Sequence, residues 1–159
     1  VAPPALYPKL LQAKQAADLH SPSFNQRIVA QVMQGGFLAR HVPTIRALYK
    51  SQRDHMLAAL EREMPEGVQW NRPDGGMFLW MRLPAGLDSV ALLPRAVERN
   101  VAFVPGAAFY AETPEHDTLR LSFVTASHAQ IDTGIAALAQ TIREALETHR
   151  TDQPVAVQL

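Results

Sequence analysis

The fold is decided by the segment Thr118-Leu119-Arg120-Leu121-Ser122-Phe123-Val124. Apolar residues occupy every second position, and polar residues occupy the positions between them. This alternation predicts a β-strand with one apolar and one polar face, and it places Arg120 in the middle of the polar face. Two interpretations of Arg120 stay open at this point. It is either an exposed arginine on a solvated sheet face or a guanidinium that binds a carboxylate in a cleft.

A second strand is predicted upstream, directly after a strong turn signal. The turn is Pro73-Asp74-Gly75-Gly76, and the strand runs from Met77 to Leu83. Phe78 shares one predicted face of this strand with Trp80 and Arg82. An aromatic face beside two glycines is typical of core packing, and it also suits a pocket wall, because glycine lets the backbone approach a ligand closely.

The first part of the sequence predicts three helices. Ser21 followed by Pro22 predicts the N-cap and first turn of the second helix, and Gly35-Gly36 predicts its end. The third helix is predicted from about Pro43 to Met64, which makes it the longest of the three.

Short strands and further helices are predicted after the long helix. Two more strands are expected at residues 68–70 and 101–104, and two helices are expected to begin after Asp88 or Ser89 and after Ser127. The resulting order is three helices followed by β-β-α-β-β-α. The predicted fold class is therefore α+β, with one small sheet covered by helices.

The composition argues against several classes of function. The 159 residues carry 15 Lys+Arg and 15 Asp+Glu, so the formal net charge is zero, which argues against a surface for nucleic acid. The absence of cysteine excludes disulfides, a thiolate nucleophile and cysteine-bound zinc. The six histidines have no metal-ligand spacing, so no metal site is expected. With no long apolar run, we expect a cytoplasmic protein without a membrane partner.

Four segments carry a resemblance when they are taken in order. They are Pro73–Trp80, Val101–Tyr110, Thr118–Phe123 and the closing helix pattern Ile131-Gly134-Ile135-Leu138. In this order the sequence resembles the C-terminal part of a fold-type I aminotransferase that depends on pyridoxal 5'-phosphate. It is most similar to the 2-aminoadipate and kynurenine type of class I/II aminotransferase. The resemblance covers about residues 1 to 148.

The resemblance implies roles for individual residues. Arg120 falls at the arginine that binds the substrate α-carboxylate in this family, and Gly76 and Phe78 fall where the small domain faces the substrate. Ser21 lies in a stretch that approaches the partner subunit's active site in related homodimers, which makes it a candidate cofactor contact across the dimer. The implied substrates are an amino acid and a 2-oxo acid.

The resemblance also implies a division into domains. Residues 1–40 correspond to the tail end of the large cofactor-binding domain, and residues 41–64 correspond to the linking helix. Residues 65–150 correspond to the small C-terminal domain, and residues 151–159 form a tail.

The family's Schiff-base lysine has no counterpart here. The only lysines are Lys9, Lys14 and Lys50, and none lies in the Ser-x-x-Lys setting of the family. We therefore expect a C-terminal fragment of an aminotransferase that is inactive by itself, with no catalytic residue in this chain. Two alternatives stay open: the aminotransferase-like effector domain of a GntR-type transcriptional regulator, and a non-catalytic interaction domain.

Overall fold

The computed structural model describes residues 2–152, and its elements follow the predicted order. The helices are α1 (Tyr7–Ala17), α2 (Ser23–Met33), α3 (Phe37–Glu63), α4 (Ser89–Val97) and α5 (His128–Asp152). The strands are β1 (Gln69–Trp70), β2 (Phe78–Arg82), β3 (Val104–Pro105) and β4 (Thr118–Ser122). Short 3-10 helices lie at Gln34–Gly36 and Gly106–Phe109. The α+β fold class is confirmed. Residues 151 and 152 of the predicted tail belong to α5, and residues 153–159 lie outside the described residues.

The chain divides into two compact units, with the division between Thr44 and Ile45. The first unit contains α1, α2 and the start of α3, and none of residues 2–44 is buried. Large apolar side chains are exposed there, among them Leu19 at 77% and Phe24 at 74%. Among residues 2–152, the apolar side chains of the first unit are therefore left exposed.

The start of α2 differs from the sequence prediction. The helix begins at Ser23, its N-cap is Pro22, and no side chain caps it. Ser21 lies one residue too early, and its carbonyl oxygen instead accepts a hydrogen bond of 2.6 Å from the side chain of Gln26. The end of α2 agrees with the prediction, because Gly35 and Gly36 have φ of 67° and 72°, a conformation that favours glycine.

The long helix α3 begins earlier than predicted. It starts at Phe37 and contains Pro43 within it. Proline lacks an amide hydrogen, so the carbonyl of Ala39, four residues earlier, receives no hydrogen bond from this position. The prediction placed Pro43 in the first turn, where that loss has no cost; the structure places it near the beginning of the helix but past the first turn.

The second unit is built on a four-stranded sheet with the order β1-β2-β4-β3. All neighbouring strands are antiparallel, and Trp80 on β2 pairs with Arg120 on β4. Leu79 and Leu121 on the apolar face pair with each other and are buried. The predicted alternation of β2 and β4 is thus confirmed, with one exception. Thr118 belongs to the polar face but is fully buried, because it packs against Gly106.

One face of the sheet forms the core with the three helices of this unit. The core residues contributed by the helices include Leu60 of α3, Leu92 of α4, and Ile135, Leu138 and Ile142 of α5. Burial of these apolar side chains supplies the main favourable free energy of folding. The opposite face of the sheet carries Arg120 and is left outside the core.

Two helix starts are confirmed in atomic detail. The Asp88 carboxylate caps α4 by accepting hydrogen bonds from the amides of Val90 at 2.7 Å and Ala91 at 3.3 Å. Ser127 and Gln130 form a reciprocal capping box at α5, with distances of 2.8 and 3.3 Å. Within residues 2–152, no helix has both the length and the apolar composition that a membrane span requires.

The third strand is shorter than predicted and lies further along the chain. The sequence predicted a strand at 101–104, whereas β3 contains only Val104 and Pro105. Its extent is set by pairing with Arg120 and Leu119 of β4, which a local pattern cannot reveal. Proline is tolerated there because β3 is an edge strand.

Candidate functional site

The backbone of Arg120 is held by strands on both sides. Arg120 lies in the middle of β4 and pairs with Trp80 of β2 on one side and with Val104 of β3 on the other. Pairing on both sides fixes the backbone from which the side chain projects, and it does so more precisely than a loop would. The fold therefore places this arginine rigidly on the face of the sheet that the core leaves free.

The guanidinium of Arg120 lies between two aromatic rings. Its Cζ atom is 4.0 Å from the ring centroid of Phe78 and 4.7 Å from that of Phe109. Both distances are within the range of cation–π attraction. The side chain is half-buried and lines a cavity of about 150 Å³ together with Phe78, Val104 and Ser122. It is therefore not an arginine that extends into bulk solvent.

The charge of Arg120 is not neutralised by any residue that the structure describes. Other arginines of this unit pair with carboxylates, such as Arg82 with Asp117 at 2.8 Å and Arg99 with Glu144 at 2.8 Å. Arg120 has no such partner among residues 2–152, and its Nε atom is buried without a hydrogen bond. Because a half-buried cation without a counter-charge is unfavourable, the arrangement suits an anionic ligand.

A charged network lies at the end of β2, on the same face of the sheet. Arg82 binds both carboxylate oxygens of Asp117 at 2.8 and 2.9 Å, and it also donates to Glu115. The hydroxyl of Tyr110 donates to Glu115 at 2.9 Å. The hydrogen bond from Arg82, followed by that from Tyr110, lowers the pKa of Glu115 below its ordinary value. Arg82 is thus already satisfied by carboxylates, whereas Arg120 is not.

The other predicted site residues lie in three different places. Phe78 lies against Arg120, as described above. Gly76 has φ of 85° and lines a separate cavity of about 330 Å³ with Arg46, Arg53 and Phe123. Ser21 is exposed in the first unit. The structure therefore brings together Arg120 and Phe78, and Gly76 is connected to them through the backbone of the hairpin.

The lysines of the chain do not fit a covalent cofactor site. Lys14 and Lys50 are exposed on α1 and α3, and their amino groups pair with Asp18 at 2.8 Å and with Asp54 at 2.6 Å. Lys9 is exposed on α1, with its amino group 3.5 Å from the side chain of Gln12. A lysine that holds a cofactor as an imine needs an enclosed, unpaired amino group. None of the three provides one.

One residue of the site was not identified from the sequence. The sequence patterns assign no role to Phe109, yet its ring lies against Arg120 and makes an edge contact with Trp80 at 5.7 Å between centroids. Tyr110, the next residue, donates a hydrogen bond to Glu115. The sequence feature that could have identified Phe109 is its position a few residues after β3. This strand pairs with β4, which carries Arg120.

The arrangement of the arginine strand, the glycine hairpin and the long helix belongs to a known class of proteins. Residues 10–138 match the profile of the family "Aminotransferase class I and II". The match spans most of the chain, and the chain therefore belongs to this family.

Relatives with assigned activities agree with the family. The chain is 44% identical over 146 residues to aromatic-amino-acid aminotransferase 1 of Thermococcus litoralis, and the match covers 92% of this chain and 35% of the relative. The crystal structure of the α-aminoadipate aminotransferase of Thermus thermophilus, complexed with N-(5'-phosphopyridoxyl)-L-leucine, has 43% identity and a TM-score of 0.79. That match covers 93% of this chain and 38% of the crystallised one.

A more distant relative is named as a transcriptional regulator and not as an aminotransferase. An uncharacterised HTH-type transcriptional regulator of Bacillus subtilis, YdfD, is 29% identical over 144 residues, which are 91% of this chain and 30% of the regulator. The chain thus spans about a third of the length of each of these relatives.

Proposed function

We propose that this chain supplies the substrate-carboxylate site of a pyridoxal-phosphate-dependent aminotransferase and is the C-terminal part of that enzyme. The observation that carries the proposal is Arg120: a rigidly held guanidinium between two aromatic rings, with no counter-charge among the described residues. A guanidinium can donate two parallel hydrogen bonds to the two oxygens of a carboxylate. This contact orients the amino acid and so prepares its α-carbon for reaction.

The proposed substrates are an amino acid and a 2-oxo acid, because both carry the carboxylate that Arg120 would bind. The names of the relatives support a large amino acid, of the aromatic or 2-aminoadipate type. Phe78 supports this role from the neighbouring strand, since it holds the guanidinium from one side. Gly76 is proposed to let the hairpin backbone approach the substrate, because it carries no side chain and has a φ that favours glycine.

The proposed cofactor is pyridoxal 5'-phosphate, which supplies the electron-withdrawing group of the reaction when bound. The three lysines of this chain do not fit it, so the lysine that holds it is proposed to lie outside residues 1–159. The complex of the Thermus thermophilus relative supports this cofactor.

The first unit is proposed to belong to the large domain of a homodimeric enzyme. This proposal is supported by the exposure of apolar residues such as Leu19 and Phe24, which no described part of the chain covers. Residues 41–64 are proposed as the link to the small domain, which comprises residues 65–150. Ser21 is proposed to approach the active site of the partner subunit; its exposed position in the loop before α2 permits this role.

The test is the substitution Arg120→Lys in the complete enzyme. Lysine keeps the charge but replaces the two-pronged contact by a single point, so the KM for the amino acid should rise about tenfold to hundredfold. Arg82→Lys is the matched control, because Arg82 lies on the same face and is already paired with Asp117 and Glu115. A KM that stays unchanged in Arg120→Lys would remove Arg120 from the site.

The resemblance to YdfD favours a second candidate function, an effector domain of a transcriptional regulator. In that case Arg120 would bind the carboxylate of an effector, and the complete protein would bind DNA but transfer no amino group. An assay of the complete protein for transamination with 2-aminoadipate and 2-oxoglutarate separates the two functions. Product formation supports the enzyme, whereas DNA binding without turnover supports the regulator.

A further inference from the structure

Phe109 is one of two aromatic residues whose rings lie against the guanidinium of Arg120. The guanidinium has two aromatic neighbours, and they come from different parts of the chain. Phe78 lies on β2, next to the strand of Arg120, whereas Phe109 ends the 3-10 helix Gly106–Phe109. A pairing between strands explains the position of Phe78. Phe109 lies outside the strands, so strand pairing does not explain why its ring lies beside Arg120.

The position of Phe109 is fixed from two sides. Its ring meets Trp80 edge-on at an interplanar angle of 76°, and Trp80 lies directly opposite Arg120 in the sheet. At the other end of the 3-10 helix, Gly106 packs so closely on Thr118 of β4 that a β-carbon would collide with it. The short helix is therefore seated on the same strand that carries Arg120.

No described residue forms a hydrogen bond or an ion pair with the guanidinium. An arginine is normally oriented by carboxylates, as Arg82 is by Asp117 and Glu115. Arg120 has no such partner among residues 2–152, and only its Nε atom is buried without a hydrogen bond. The two terminal nitrogens are thus the donors left for a ligand, and the rings of Phe78 and Phe109 lie against the group that carries them.

We propose that Phe109 is a positioning residue, which together with Phe78 forms an aromatic clamp that keeps the terminal nitrogens of Arg120 directed toward the substrate carboxylate. This inference rests on the proposed function of Arg120. The clamp acts by preorganisation: it reduces the freedom that the long side chain would otherwise lose on binding. Both rings lie against the arginine, so the expected effect of the clamp is on carboxylate affinity.

The test replaces the ring in the complete enzyme. Phe109→Leu removes the aromatic face but keeps an apolar side chain, and the KM for 2-aminoadipate should rise about fivefold to thirtyfold, equivalent to about 1–2 kcal/mol, with little change in kcat. Phe109→Tyr retains the ring and should keep the wild-type KM. Tyr110→Leu is the matched control, because it removes the adjacent aromatic ring, which does not lie against the guanidinium.

Three results would overturn the clamp. One is an unchanged KM in Phe109→Leu; another is an equal rise of KM in Phe109→Tyr; the third is an equal rise in Tyr110→Leu. Thermal melting by circular dichroism monitors folding, and Phe109→Met serves in place of the leucine variant if the latter does not fold. Because Phe109 is half exposed, only a small loss of stability is expected.

A double-mutant cycle with Arg120→Lys separates failure of the clamp from failure of the proposed function. If Arg120 binds the carboxylate and Phe109 acts through it, Phe109→Leu should add little to the KM of Arg120→Lys. A full additional effect in that background overturns the clamp and leaves the role of Arg120 intact. An unchanged KM in Arg120→Lys alone overturns the proposed function, and the clamp with it.

Discussion

The side chain of Thr118 occupies the space that a β-carbon on Gly106 would need. The 3-10 helix that begins at Gly106 therefore lies directly on β4, and Thr118 is fully buried beneath it although it belongs to the polar face. The hydroxyl of Thr118 is satisfied by the carbonyl of Glu115 at 2.9 Å. This contact fixes the distance between the helix that carries Phe109 and the strand that carries Arg120.

Gly106→Ala should destabilise the second unit. The added methyl group collides with a buried side chain and with the backbone of Thr118, so the free energy of unfolding should fall by about 1–3 kcal/mol. Gly75→Ala is the control, since a β-carbon there meets nothing within 4 Å and Gly75 has no positive φ. Urea denaturation of the 159-residue chain measures both. Equal stability of the two variants would contradict the close packing of Gly106 on Thr118.

Gly76→Ala tests the hairpin by a different mechanism. A β-carbon at Gly76 has open space around it, but φ is 85°, which a side chain disfavours. The expected loss is about 1–2 kcal/mol from backbone strain alone. The same urea experiment, with Gly75→Ala again as reference, detects it. Equal midpoints for the two alanine variants would show that the turn readily adopts another conformation.

Asp88→Ala should lower stability through the start of α4. The substitution removes an oxygen that accepts hydrogen bonds from the amides of Val90 and Ala91, and the expected cost is about 1 kcal/mol. Asp88→Asn retains an acceptor and should cost only a few tenths of that amount. Thermal denaturation of the two variants gives the comparison. If Asp88→Asn loses as much stability as Asp88→Ala, the charge of Asp88 matters more than its role as a hydrogen-bond acceptor at the helix start.

The acid stability of the chain should depend on Glu115. Its pKa is lowered in the folded state, first by the hydrogen bond from Arg82 and then by that from Tyr110, from an ordinary value of 4.5. A lowered folded pKa means that the stabilisation is fully present above the ordinary value and is lost as the pH falls through the lowered one. The melting temperature should therefore fall less steeply below pH 4.5 in Glu115→Gln than in the wild type. Parallel slopes in the two proteins would exclude this contribution.

The 159-residue chain mixed with pyridoxal phosphate should not form a specific imine. Each lysine is exposed, and Lys14 and Lys50 are paired with aspartates. Absorption spectroscopy and borohydride trapping, followed by peptide mapping, measure this. Low labelling spread over several amino groups is expected. Stoichiometric labelling of one lysine would contradict the prediction.

Local patterns were sufficient for the elements whose causes are local. The alternation around Arg120 and the helix starts at Asp88 or Ser89 and at Ser127 depend on residues a few positions apart. The structure confirms the alternation with the exception of Thr118, and it places the caps at Asp88 and Ser127. The burial of Thr118 and the two-residue length of β3 were missed. Both depend on which segment packs beside β4, and that is decided by distant parts of the chain.

The candidate site shows the same division. The resemblance, not the strand pattern, favoured a carboxylate-binding role for Arg120, because alternation places an arginine on a face without saying what covers it. The aromatic neighbour Phe78 follows from the pairing of two predicted strands. Phe109 does not, since a phenylalanine in an apolar loop gives no indication of which charged group it will meet.

The two outermost strands of the sheet, β1 and β3, each contain two residues, while the inner strands contain five. A strand from another molecule could form only a few backbone hydrogen bonds with either edge strand. In β3, Pro105 also lacks the amide hydrogen that such pairing would use. The sheet is thus poorly suited to serve as a template for aggregation, even when many copies of the chain are crowded together.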